Sequence, residues 1–143
     1  MKKRFLSILI LMMAGSVTAE PVPGAAQALN SLRAQQGLPP LAISEKLQLA
    51  AERHAQDMAR RGYFSHIGAN GSDIAARARA VGFRYCSLAE NIAKGQRSLE
   101  AVMAGWNGSP GHRRNMLKRD VQVFGLARAA GNIWVMELGR EGC

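Results

Sequence analysis

The sequence predicts an α+β fold with helices packed on an antiparallel sheet of three strands or slightly more. Three observations carry that prediction. Apolar residues recur at helical spacing through the first two thirds of the chain, the last third changes to β-rich runs, and the helices precede the strands instead of alternating with them.

Residues 1–19 stand apart from this fold and read as an export signal. Lys2, Lys3 and Arg4 form a basic start, residues 5–13 a short apolar run, and Val17-Thr18-Ala19 supplies small residues for cleavage before Glu20. The apolar run is about half of the roughly 20 residues that span a bilayer, and no other stretch approaches that length. Glu20 stands where a lipid anchor needs Cys. The expectation is a secreted protein, in the periplasm or the medium, with no integral membrane segment. The remaining 124 of the 143 residues, 20–143, suffice for one domain and are too few for two ordinary ones. A monomer is expected.

The first helix is expected over residues 25–36, with Leu29 and Leu32 inward and Gly37 to stop it. Pro39-Pro40 then enforces an extended connection. The second helix is the clearest element: Ser44 caps it, Leu47, Ala50, Ala51, His54, Ala55 and Met58 recur on one face, and Gly62 ends it. His54 on that apolar face reads as a satisfied core histidine and is left out of the site. Residues 67–71, with Gly68, Asn70 and Gly71, read as a loop. A helix over residues 73–81 is expected to be capped by Ser72 and stopped by Gly82. Ser98 opens a further helix marked by Leu99, Val102, Met103 and Trp106, and Ser109-Pro110 opens a short helical turn that carries His112.

Residues 121–128 and 133–138 are β-rich runs separated by Ala129-Ala130-Gly131-Asn132, an antiparallel hairpin. A two-stranded ribbon alone is marginal, so a third strand is placed at residues 83–92.

Nineteen Lys and Arg stand against ten acids, a net charge of +9; three of the bases and none of the acids lie in the leader, which leaves +6 on residues 20–143. Such a surface keeps the protein soluble and attracts anionic headgroups or envelope polymers over long range. The bases are scattered without the interleaved aromatics of a stacking platform, which argues against nucleic acid. Cys86 and Cys143 are the two cysteines, and in an oxidising compartment they are expected to pair within the chain; a free thiol or a bond between chains are the alternatives.

The ordered series Leu29-Asn30-x-x-Arg33, Gly37-Leu38-x-Pro40-Leu41, Ala51-x-x-His54-Ala55-x-Asp57-Met58, Phe64-Ser65-His66, Glu90-Asn91-Ile92-Ala93, Trp106 and Ser109-Pro110-Gly111-His112-Arg113-x-Asn115-Met116-Leu117 resembles the bacterial, SCP-like extracellular branch of the CAP superfamily. These are the cysteine-rich secretory, antigen 5 and pathogenesis-related proteins. The resemblance covers nearly all of residues 20–143, and it implies an α-β-α sandwich with a central antiparallel sheet and a cleft on one side. In the family that cleft holds two histidines and two acids. The motifs place three of the four at His66, Glu90 and His112. The fourth, a Glu three residues after the tryptophan, is Ser109 here, and Glu100 lies too far back on the preceding helix to replace it.

Two imidazoles can hold a divalent metal, with zinc the natural occupant of His66 and His112, or exchange protons near neutral pH, while a carboxylate orients a histidine or takes a proton. A catalytic zinc usually has three protein ligands, a count reached only if Glu90 ligates. The separations of 24 and 22 residues match no helical metal motif such as HExxH. Alternatively the three residues form a buried hydrogen-bond network joining sheet to helices. Ser65 and Ser109 lack the Gly-x-Ser-x-Gly elbow of a serine hydrolase. The functional expectation is an exported binding module for an envelope component, lipid or protein ligand, with a metal-dependent hydrolase of peptidase type, using His66, His112 and Glu90, as the alternative.

Overall fold

The computed structural model describes residues 20–143; the leader expected at residues 1–19 lies outside the described residues. In chain order the elements are β1 (Glu20–Pro21), α1 (Ala25–Gln35), β2 (Ala42–Ile43), α2 (Glu45–Arg61), α3 (Ile74–Ala80), β3 (Tyr85–Lys94), α4 (Leu99–Asn107), α5 (Pro110–Met116), β4 (Val123–Ala129) and β5 (Ile133–Glu141).

Local chemistry sets most of these boundaries. Ser44 caps α2 by accepting from the Leu47 amide, and Ser98 caps α4 through the Ala101 amide. The cap of α3 differs from expectation. Asp73, not Ser72, accepts from the Ala76 amide, while the Ser72 carbonyl is held in the loop by the Gly68 amide and by Arg77. Ser109 stands at the N-cap of α5 without a side-chain capping bond, and Pro110 begins the helix.

The sheet is larger than a three-stranded one and is mixed. Its strands run in the order β1-β4-β5-β3, each neighbouring pair antiparallel, and β2 lies parallel to β4. Two-residue strands such as β1 and β2 carry too little pattern to be read from sequence. The β4–β5 hairpin turns through Gly131 and Asn132, both at positive φ, as the sequence of that turn requires. The third strand extends two residues beyond its expected end, because Lys94 still pairs with Ile133.

Alternation along the strands sorts the core into two layers. Phe124, Leu126, Trp134, Met136 and Leu138 face α1, α4 and α5, meeting Leu29, Val102, Met103, Trp106 and Met116. Ile92, Ala127, Ile133 and Val135 face α2, meeting Ala51, Ala55 and Met58. The result is an α-β-α sandwich. On the second face Glu137 of β5 is flanked by Gly125 of β4 and Glu90 of β3. A Cβ on Gly125 would lie 2.4 Å from the Gln48 amide nitrogen, so α2 rides directly on the strand there. Cys86 and Cys143 form the intramolecular disulfide, joining the start of β3 to the chain end beyond β5.

Candidate functional site

The site is built where the loop between α2 and α3 folds back over β3. Buried His54 of α2 donates its Nε2 proton to the Ser65 carbonyl at 2.9 Å. Arg77 of α3 donates through Nη1 to the carbonyls of His66 and Ser72, both at 2.9 Å. Fastened from both helices, the loop sets the His66 ring above Glu90. His66 Nδ1 donates to Glu90 Oε1 at 2.7 Å, and Arg77 Nη2 donates to Glu90 Oε2 at 2.6 Å. The Glu90 side chain is 3 % exposed and the His66 side chain 56 %. A buried carboxylate therefore holds an imidazole that is itself more than half exposed.

The ionisation of each group follows from these contacts. The bond to Glu90 raises the His66 pKa above its ordinary value, against a smaller opposing effect of burial. Burial alone would push Glu90 up, but the His66 bond and the Arg77 charge outweigh it and hold the carboxyl below its usual range. Burial, then the Arg77 charge, lowers His54, which is a neutral core histidine.

Sequence reasoning missed Arg77 and Glu137. Glu137 is fully buried, and its Oε1 lies 3.6 Å from Arg77 Nε, beyond hydrogen-bond distance; neither Glu137 oxygen accepts a hydrogen bond. Burial, then the facing Glu90 charge, pushes its pKa up to about 8. The available signal was position: Glu137 interrupts the uncharged run of residues 133–139.

His112 is delivered from the other layer. Asn91 Nδ2 donates to the His112 carbonyl at 3.0 Å, and Asn115 Nδ2 donates to Asn91 Oδ1 at 2.9 Å and to the Glu90 carbonyl at 3.1 Å. These amides clamp α5 to β3. Trp106 adds a bond from Nε1 to the Ile92 carbonyl, and its ring centroid stands 6.5 Å from that of His112. Burial, then the His66 charge, lowers the His112 pKa. The structure thus brings His66 and Glu90 into contact and sets His112 within electrostatic reach of His66. It does not assemble a three-ligand zinc centre. Glu90 is committed on both oxygens, and among the described residues no three His, Cys, Asp or Glu side chains are grouped to hold a metal ion.

The profile of CAP, the cysteine-rich secretory protein family, matches residues 26–137. The chain belongs to the CAP family. Among its relatives, the uncharacterised Bacillus subtilis protein YkwD is 36 % identical over 109 residues, 76 % of this chain and 42 % of YkwD. The chain therefore spans about two fifths of that relative. An SCP-domain extracellular protein of Bacillus anthracis superposes with a TM-score of 0.76 at 26 % identity, over 82 % of this chain and 41 % of that one. An outer surface protein of Borrelia burgdorferi gives a TM-score of 0.75 at 19 % identity, over 87 % of this chain and 99 % of its own, a likeness of fold.

Many of the residues that mark the CAP sequence are structural. Asn30 exchanges hydrogen bonds with the Leu41 backbone, and buried Arg33 reaches the carbonyls of Pro39, Met116 and Lys118. A cleft of about 570 Å³ lies between α2 and α3, lined by Arg53, His54, Arg60, Ala76, Arg77 and Val81 among others. It shares His54 and Arg77 with the His66 cluster, but neither His66 nor His112 lines it.

Proposed function

We propose that this CAP domain is exported and works as a binding module, with His66 and His112 at the ligand cleft and Glu90 behind them. One observation carries the reading: both Glu90 oxygens are committed, one to His66 and one to Arg77, so the carboxylate serves to orient an imidazole. A hydrolase that attacks with its own serine or cysteine needs a free base beside that activated nucleophile. Here the Ser65 hydroxyl accepts from the Ile67 amide, and both cysteines are locked in a disulfide. Phe64 and Ile67, 46 % and 50 % exposed, lie two residues before and one residue after His66 and expose apolar surface on the same loop. That combination suits an envelope lipid or protein ligand with an apolar part next to a hydrogen-bonding group. The leader at residues 1–19 and the paired cysteines support export, and among the described residues no helix is long and apolar enough to cross a membrane.

Co-sedimentation with phosphatidylglycerol vesicles and with purified cell-wall material, in wild type and in His66→Ala/His112→Ala, tests the reading. Binding without turnover of peptide or ester libraries, lost in the double variant, is expected. Metal-dependent turnover lost in His112→Ala would replace it with the hydrolase.

A further inference from the structure

Glu137 sits at the centre of the sheet, the least tolerant place for an acid. It is fully buried, its neighbour on β4 is Gly125, which offers no side chain, and its partner on β3 is another acid, Glu90. Side chains directly opposite on one face of an antiparallel pair stand about 5 Å apart, and like charges there repel. Arg77 is the cation of the cluster, and its Nη2 is already given to Glu90. His54, which reaches the cluster from α2, is neutral and contributes no compensating charge. Arg77 is the one buried guanidinium facing both carboxyls, and half-exposed His66 bonds Glu90 alone, so the interior leaves room for one negative charge. That charge belongs to Glu90, which holds the hydrogen bonds from Arg77 and His66. Each Glu90 oxygen keeps a second lone pair, and a protonated carboxyl is a donor.

We propose that Glu137 is a positioning residue of the His66 site, a neutral carboxylic acid that donates its proton across the strand pair to Glu90 and fixes the carboxylate that holds His66. The chain then runs Glu137 to Glu90 to His66, with Arg77 bracing the middle. The acid absent from the helix at Ser109 has a counterpart supplied by the sheet, behind Glu90 rather than facing the cleft. Burial and the Glu90 charge both favour the protonated form at neutral pH. The functional weight of this arrangement rests on the binding reading of the His66 cleft, but its geometry can be tested without any ligand.

The test compares wild type, Glu137→Gln, which keeps a donor, and Glu137→Met, which keeps the size and loses the donor. Proton–nitrogen NMR at neutral pH reads the His66 Nδ1 proton, and the His54 Nε2 proton on the Ser65 carbonyl reports an intact loop. We expect the His66 proton to stay protected in wild type and Glu137→Gln. In Glu137→Met it should exchange with solvent at least tenfold faster while His54 is unchanged. Equal protection in all three, or loss in Glu137→Gln, overturns the proposal. Should Glu137→Met lose the His54 signal as well, infrared spectra decide: a protonated-carboxyl band in wild type that vanishes in Glu137→Gln supports the proposal, and its absence from wild type overturns it. The ring proton can fail while vesicle binding stands, and the reverse, so the two readings fail separately.

Discussion

Replacing Glu137 by Gln should stabilise the protein at neutral pH and remove a pH dependence that the wild type carries. Folded Glu137 keeps its proton up to about pH 8, against 4.5 for an ordinary glutamate, because it is buried and faces Glu90. The unfolded chain has released that proton by pH 7, so folding must take it back. From 4.5 to pH 7 the cost grows by about 1.4 kcal/mol per pH unit and reaches about 3 kcal/mol. The sign is that of an acid whose folded pKa is raised: its contribution is complete below pH 4.5, falls as pH rises, and levels off above about 8. Gln has nearly the same shape and no proton to recover. Urea denaturation of both proteins from pH 5 to pH 9 should show curves that lie close at pH 5 and diverge upward, with the variant ahead by about 3 kcal/mol at pH 7. In melting temperature that is roughly 10 °C for a domain of this size. The opposite result would refute the reasoning. A variant less stable by about 3 to 5 kcal/mol at pH 7 would mean that Glu137 is ionised and paired with Arg77, because removing one partner strands the other's charge.

Three further outcomes follow from the packing. Replacing both Cys86 and Cys143 by Ser should cost about 4 kcal/mol in urea titrations, since their bond closes 57 residues of chain, and denatured, unreduced wild type should show no free thiol. Gly125→Ala should lose about 3 kcal/mol or more, or fail to fold, because its Cβ would stand 2.4 Å from backbone of α2 that cannot swing aside. Chelation with EDTA should leave the melting temperature unchanged, because His66 and His112 offer two imidazoles where a structural zinc needs four ligands; a fall of several degrees would reveal a metal that the fold depends on.

Much of the fold was legible because the long elements carry strong periodicity. The apolar stripe of α2, its Ser44 cap and Gly62 stop, and the Gly131-Asn132 hairpin all act within a few residues. The cap of α3 was misplaced by one residue because Ser72 and Asp73 are both good caps, and the choice was made by Arg77 and Gly68, which occupy the Ser72 carbonyl. The parallel pairing of β2 with β4 was invisible, since it joins Ala42 to Val123 across most of the chain. At the site, His66 and Glu90 were legible through motifs, whereas Arg77 reads in sequence as one of several arginines on a basic helix. Its burial becomes visible only once β3 is known to run beneath α3. Glu137 was hidden for the same reason: an acid in a strand is ordinary at an edge and exceptional in the middle, and strand order is a property of the whole sheet.

The arrangement also accounts for having two histidines without a second acid in the cleft. At the site the buried charge balances, with Arg77 positive, Glu90 negative, His54 neutral and Glu137 neutral under the proposal above. The imidazoles of exposed His66 and half-buried His112 are thereby free to differ. His66 is pushed up by its bond to Glu90, and His112 is pushed down by burial and by the charge of His66 itself. Groups whose environments separate their titrations take complementary roles. Between the two pKa values His66 is a cationic donor and His112 a neutral ring with a lone pair to offer. An acid at Ser109, three residues before His112, would add negative charge near that ring and oppose the separation. Its absence thus suits the proposed binding role, in which a ligand would meet one donor and one acceptor.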